Sequence, residues 1–287
     1  MRNFLLRLIA SFLDGNIRDQ KFPIFTGSGA NGKSTVMKLI SKLLGDYYGT
    51  LPTTFLTRKK GSSSNATPEL ANLKGKRCVV MQESEFDEKI QVGAMKEITG
   101  GDPIYFRALY GDADVLHPQF KLLLVCNKKP NVEADDNGTW RRIMVVPFLS
   151  EFVENPVEPH QFLLDKNCEG VVATWFQGFM WLLLKKYYVQ YIEKGLGIPA
   201  SIIKETEEYR AKSDMLLQFF KDNYEKSDND DDTIELSKLY NHYKEWFKNN
   251  QSGSNPIIKL EFKEYILKMK YKITKKEIVQ NIRFIED

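Results

Sequence analysis

The sequence predicts an α/β protein: a mainly parallel sheet covered by helices, then a helical stretch, then a small winged-helix-like domain. Three observations predict it. Short β-rich runs recur between Phe22 and Phe148 ("FPIFT", "RCVVMQ", "PIYFRALY", "FKLLLVCN", "RIMVVPF"), and fully buried parallel strands read as continuous apolar runs. The first run leads into a glycine-rich loop and a helical pattern over Ser34–Leu44. Beyond Phe148 the pattern turns helical, from "VVATWFQGFMWLLLKKYY" to "IIKETEEYRAKSDMLLQFFKDNY".

In chain order, residues 1–20 come first, with Phe4, Leu5, Leu8, Ile9, Phe12 and Leu13 spaced as an amphipathic helix that Gly15 closes. Such a helix needs a surface to pack on, and it reads as the tail of an upstream or collar domain. Residues 21–150 form the α/β core and 151–224 the helical segment. The polar run "EKSDNDDD", Glu225–Asp232, is too charged to enter a core and marks a boundary. The last part, 225–287, has its own apolar periodicity: "TIELSKLYNHYKEWFKNN" and "KLEFKEYILKMK" read as helices, and "YKITKKEIVQNIRFI" as two short strands around a basic turn.

The bulk numbers exclude several classes. The chain has 287 residues, 42% hydrophobic and 28% charged, as soluble globular proteins do. A net charge of +3 makes any basic surface local. Cys78, Cys126 and Cys168 lie far apart, which argues against disulfides or a zinc site and for a reducing compartment. Runs such as "FMWLLL" are far shorter than the ~20 residues of a membrane span. The interrupted start, with Arg2, Arg7 and Asp14, is no secretion signal.

The stretch "FTGSGANGKSTVMKL" fills every fixed position of the phosphate-binding pattern G-x-x-x-x-G-K-S/T with Gly27, Gly32, Lys33 and Ser34. Glycines let successive N–H groups of Gly27, Ser28, Gly29, Ala30, Asn31, Gly32, Lys33, Ser34 and Thr35 wrap around phosphates, and the helix start adds partial positive charge. Lys33 would reach the β- and γ-phosphates of ATP, and Ser34 would ligate Mg²⁺.

Three further signals follow in order. "RCVVMQESE" is an apolar run ending in acids, and Glu83 and Glu85 would share a face if the strand continues. Glu83 is the better placed to polarise water and complete the metal shell, with Glu85 in support, or both belong to a solvated strand end. "FKLLLVCNKKPN" ends in Asn127, whose neutral amide could hold the attacking water and equally well opens a turn. "NGTWRRIMVVPF" places Arg141 and Arg142 before an apolar strand, where an arginine can be offered to a neighbouring subunit's nucleotide. Kinases and GTPases would not require this set; ring-forming ATPases do.

With these motifs the chain resembles the superfamily 3 helicases of viruses, phages and plasmids, and within them the helicase portion of poxvirus-type and phage/plasmid-type primase–helicases. The resemblance is carried by "QKFPIFTGSGANGKSTVMKLISKLLGDYY", "LKGKRCVVMQESE", "KEITGGDPIYFRALYGD", "FKLLLVCNKKPNV", "WRRIMVVPF" and "IPASIIKETEEYRAKSD". It implies an AAA+-like ATPase core, a hexameric ring, ATP-driven translocation on single-stranded or forked DNA, and a primase or polymerase domain in the same or another chain, at a replication site of the host cell. Lys33 and Ser34 match the Walker A lysine and metal ligand, Glu83 the Walker B acid, Asn127 the sensor asparagine, and Arg142, better than Arg141, the arginine finger. Two departures stand out. Gln82 occupies a place where many relatives have an acid. The hairpin pattern "YFRALYGDADVLHPQFK" has an acidic turn, Gly111–Asp114, where relatives carry basic DNA-gripping residues. DNA contacts would then come from Arg107, His117 or Lys121, from the backbone, or from Lys128 and Lys129, with His117 reading first as an ordinary strand residue. The competing reading is an ATP-binding replication initiator or assembly factor that unwinds little.

In the last domain, seven lysines lie between Lys259 and Lys276, against Glu261 and Glu264. Lys268, Lys270, Lys275 and Lys276 of this patch suit DNA phosphates, or form an ordinary solvated helix face.

Overall fold

Strand β1 (Phe22–Thr26) is buried at all five positions, so it must have strands on both edges and helices on both faces. The computed structural model provides them; it describes residues 1–58, 67–82, 89–108, 111–132, 134, 136–229, 231–250 and 256–285. In chain order follow β2 (Tyr48–Thr50), β3 (Cys78–Gln82), β4 (Ile104–Arg107), β5 (Ala113–Leu116), β6 (Lys121–Val125) and β7 (Ile143–Pro147). Five of them make one sheet in the order β2-β3-β6-β1-β7, and every pairing is parallel. β4 and β5 stand apart as an antiparallel hairpin, so "PIYFRALY" is not a strand of the main sheet.

Alternation along these strands divides the core between two faces. Phe22, Ile24, Val79, Met81, Leu122, Leu124, Ile143 and Val145 point to one side. They meet the short helices α3 (Thr54–Thr57) and α4 (Pro68–Ala71) through Leu56 and Leu70, and α5 (Val92–Gly100) through Met95 and Ile98. α6 (Asn137–Trp140) adds Trp140 to the same side. Phe25, Cys78, Val80, Leu123, Met144 and Val146 point to the other side. There they meet Phe4, Leu8 and Phe12 from the N-terminal stretch that includes α1 (Arg2–Ser11), and Met37 and Ile40 from α2 (Lys33–Leu44). The N-terminal helix therefore covers its own sheet. Burying each such Phe or Leu contributes on the order of 2 kcal/mol.

After β7 two short strands, β8 (Glu151–Val153) and β9 (Gln161–Leu163), pair in parallel. A long helix follows, α7 (Cys168–Leu182), continued by a π-helical segment Leu183–Tyr188 and α8 (Val189–Lys194), and then α9 (Ala200–Ser213). Among the described residues no helix is long and apolar enough to cross a membrane.

The chain divides into two units, Met1–Arg210 and Ala211–Asp287, so the division falls before the acidic run. The reason is α10 (Met215–Asn223), whose Leu216, Phe219 and Phe220 enter the core of the second unit. Asp214 caps that helix, accepting from the Leu217 N–H at 2.9 Å, and its other oxygen accepts from the Tyr265 hydroxyl at 2.8 Å. Next come β10 (Tyr224–Lys226), β11 (Thr233–Glu235), α11 (Leu236–Asn250), α12 (Lys259–Lys268), β12 (Lys272–Ile273), β13 (Ile278–Gln280) and β14 (Ile282–Phe284). β11, β13 and β12 form one antiparallel sheet in that order, and β10 pairs with β14. Phe219, Tyr243, Phe262, Ile266, Val279 and Ile282 close the core of this unit.

Candidate nucleotide site

The loop between β1 and α2 begins where β1 ends, between β6 and β7. Thr26 fastens it sideways: its hydroxyl donates to the Asn127 carbonyl at 3.2 Å, and the Cys126 N–H donates to the Phe25 carbonyl at 3.0 Å. The end of β6 and Asn127 thus lie beside the start of the loop. Asn127 is exposed there.

Two glycines are required by geometry. Gly27 has φ of +149°, and a Cβ there would come within 2.5 Å of the Phe148 carbonyl oxygen and of the Asn31 amide. Gly32 has φ of +82° and caps α2, a conformation that costs side-chain-bearing residues strain. Ser28, Gly29 and Ala30 are exposed along the outer rim, and Ser34 is exposed in the first helical turn.

Lys33 is only 6% exposed. Its ammonium donates to the Gly27 carbonyl at 2.7 Å and to Asn31 Oδ1 at 3.0 Å. These acceptors are neutral, and burial pulls the Lys33 ammonium below its ordinary proton affinity. Such a cation gains by meeting an anion. Asn31 does more than line the loop. Buried itself, it accepts a hydrogen bond from the Lys33 ammonium through Oδ1 and donates through Nδ2 to the Ser28 and Phe148 carbonyls. A second brace comes from β8, where the Phe152 N–H donates to the Ala30 carbonyl at 2.8 Å. The contacts to Phe148 and Phe152 are not visible in the sequence, because they come from a chain segment more than a hundred residues downstream.

Glu83 and Glu85 lie outside the described residues; β3 is described to Gln82, which pairs with Val125 of β6.

Arg142 is at the other end of the sheet. β1 and β7 run in parallel register, Phe22 beside Ile143 and Thr26 beside Pro147, and the Phe22 N–H donates to the Arg142 carbonyl at 2.6 Å. At ~3.3 Å per residue the loop end of β1 lies about 13 Å further along the strand. Arg142 Nη1 donates to the Gly138 carbonyl at 2.6 Å. Arg142 Nη2 and Arg141 Nη2 both donate to Gln20 Oε1, at 3.5 and 2.9 Å. Burial, then the like charge of Arg141, lowers the proton affinity of Arg142. Upstream, Asp136 caps α6 and takes the Lys96 ammonium at 2.8 Å. Burial alone would raise that carboxyl, but the Lys96 and Thr139 hydrogen bonds hold it at about 2.

The other basic residues separate by environment. Lys121 is buried, its ammonium donating to the Asp14 carbonyl, and burial brings it down to about 8. It is an internal residue of the sheet, and so is not available to a DNA backbone. Arg107 and His117 are exposed on and just past the β4–β5 hairpin. Ala113 and Asp114 belong to β5 rather than to a turn, and the Asp114 carboxylate is paired with Lys74. Tyr105 is 80% exposed on the same hairpin. Lys128 is exposed, and Lys129 lies 4.0 Å from Glu205 and over the Tyr209 ring. In the second unit, Lys259 and Lys263 are paired with Glu277 at 2.8 and 3.3 Å, just past the lysine-rich stretch. Lys270, Lys275 and Lys276 are exposed, while the Lys268 side chain lies outside the described set.

Comparison with known proteins gives the setting. Residues 25–142 match a family model described as a family of unknown function (DUF5906). A protein of Acanthamoeba polyphaga mimivirus named "Putative helicase" is 39% identical over 276 residues, covering 93% of this chain and 28% of that protein. One of Invertebrate iridescent virus 6, also named "Putative helicase", is 31% identical over 288 residues, covering 92% of this chain and 29% of its own length. A "Putative primase" of African swine fever virus (isolate Tick/Malawi/Lil 20-1/1983) is 24% identical over 262 residues, covering 87% of this chain and 27% of that protein. The solved apo structure of the NrS-1 C-terminal region superposes with a TM-score of 0.56 at 13% identity, covering 98% of this chain and 71% of that one, a likeness of fold. The chain thus spans under a third of the length of these viral relatives, and over nearly all its own length it is similar to proteins named as helicases and a primase of DNA viruses.

Proposed function

We propose that this chain is the ATP-driven motor part of a viral replication helicase, a superfamily 3, AAA+-like ATPase whose sites are shared between copies in a hexameric ring on DNA. The observation that carries this reading is the placement of two cations on one sheet. Lys33 sits inside the loop after β1, and Arg142 sits before β7 at the opposite end, beyond side-chain reach of that loop. Its guanidinium can serve a nucleotide held by a neighbour.

The loop suits ATP. Its rim is exposed, and Lys33 is held by neutral carbonyls that a phosphate oxygen can replace. The exposed Ser34 hydroxyl suits Mg²⁺, with Glu83 as a second ligand and Glu83 or Glu85 to polarise water, while Asn127, two residues past β6, lies beside the start of the loop. Bound Mg²⁺ would neutralise charge developing on the phosphates. Assembly is favoured by α7, where Val171, Trp175, Phe176 and Trp181 are all exposed, an apolar surface suited to burial against another subunit. In the second unit, helix α10, strand β11, helices α11 and α12 and the β12–β13 hairpin follow the order of a winged helix, with β10 and β14 added as a separate strand pair and Lys270, Lys275 and Lys276 as phosphate contacts. The relatives' names favour work at a host-cell replication site, with a primase or polymerase domain elsewhere in the same or another chain.

A second reading, an ATP-binding initiator or assembly factor, is favoured by the exposed acids Asp112 and Asp114 on the hairpin. ATP turnover with and without forked DNA, together with strand separation, tests both. The motor reading expects DNA-stimulated turnover that Lys33→Ala abolishes. Arg142→Ala should bind nucleotide normally and turn it over roughly 10³-fold more slowly or worse. Normal turnover by Arg142→Ala overturns the shared site. DNA-bound oligomers without strand separation favour the initiator.

A further inference from the structure

We infer that Gln20 is a positioning residue for the Arg141–Arg142 pair, fixing the guanidinium of Arg142 for use by a neighbouring copy. This rests on the proposal that Arg142 completes a nucleotide site in trans. Gln20 lies two residues before β1, yet it has left-handed backbone, φ of +49°, which residues with a Cβ adopt only when the surroundings demand it. The demand is visible around its amide. Nε2 donates to the Gly100 carbonyl at 3.1 Å, at the last residue of α5. Oε1 accepts from Arg141 at 2.9 Å and from Arg142 at 3.5 Å.

The orientation of that amide is fixed by chemistry. A carbonyl can only accept and a guanidinium can only donate, so nitrogen must face Gly100 and oxygen must face the arginines. The oxygen thereby holds two like charges side by side, anchored through Gly100 to the end of α5.

Neutrality is the second feature. The side-chain hydrogen bonds that locate the pair go to neutral oxygens, Gln20 Oε1 and the Gly138 carbonyl. Among the described residues, Arg142 Nε is buried with no hydrogen-bond partner. A carboxylate at position 20 would bind both arginines strongly and cancel the charge that a phosphate needs. An amide aims them and leaves that charge available. Lys21 supports the same end, its ammonium donating to the Arg141 carbonyl at 2.5 Å.

The test uses ATP turnover of the full chain and of mixed assemblies. Gln20→Ala should lower kcat by roughly 10²-fold, the cost of an ångström-scale misplacement, with the KM for ATP and the Tm unchanged. Gln20→Glu, which keeps the shape and adds a charge, should also lower kcat without changing KM. Mixing Gln20→Ala with Lys33→Ala should restore turnover, because the intact loop of one is served by the intact arginine of the other. A structural defect would not be rescued in that mixture. Native kcat in both Gln20 variants, with Arg142→Ala inactive, overturns the role of Gln20 alone. Failure of rescue by Lys33→Ala, where Arg142→Ala is rescued, also overturns it. Native turnover by Arg142→Ala instead overturns the shared site itself.

Discussion

Where β1 and β6 finish, Lys33 is enclosed by the loop that carries it; where β7 begins, Arg141 and Arg142 lean on one glutamine oxygen from another segment. The first cation is built into a single stretch of chain, and its acceptors lie within six residues of it. The second is assembled from parts more than a hundred residues apart. The difference teaches how a parallel sheet can serve two sites at once. All five strands point the same way, so one end presents loops that follow strands and the other presents residues that precede them. A group at the second end cannot serve a ligand at the first end of its own sheet.

Changes at each end sharpen that contrast. The largest effect is expected at Gly27. Gly27→Ala places a methyl 2.5 Å from the Phe148 carbonyl oxygen in a backbone conformation of φ +149°. It should abolish nucleotide binding, measured by titration calorimetry, and destabilise the fold by about 1–3 kcal/mol. Normal binding would mean that the loop does not need its present path.

The smaller effect belongs to Lys121, at the arginine end. Burial lowers its proton affinity from 10.5 to about 8, so between those pH values the unfolded chain binds more protons than the folded one. Stability contributed at this position therefore rises with pH across that window and is lowest below it. The stability of the native chain relative to Lys121→Met should increase by up to about 3 kcal/mol from pH 8 to 10.5, in denaturant titrations. A constant difference would place the ammonium in water.

The legible parts were those written in contiguous sequence. β1, β3, β6 and β7 were read as apolar runs, and the phosphate loop as fixed spacing between a strand and a helix. The parts missed depend on tertiary partners. β2 is only Tyr48, Gly49 and Thr50, too short to show a pattern, and it is a strand because β3 pairs with it. The run around Ile104 reads like a sheet strand but forms a hairpin with β5. The unit boundary was displaced because α10 lies ahead of the acidic run yet buries Phe219 and Phe220 in the second unit. In the same way, the lysine count could not register Glu277, which holds Lys259 and Lys263, nor the burial of Lys121. Gln20 carried no motif; its left-handed backbone and its contacts to two arginines exist only in the folded chain.

The central claim is that one copy supplies the loop and the next supplies the arginine. Mixing Lys33→Ala with Arg142→Ala in equal amounts and measuring ATP turnover tests it most directly. The account predicts that two inactive preparations regain activity together, since some interfaces then join an intact loop to an intact arginine. Turnover in the mixture no higher than the sum of the two variants alone, in assemblies verified to contain both, would contradict it.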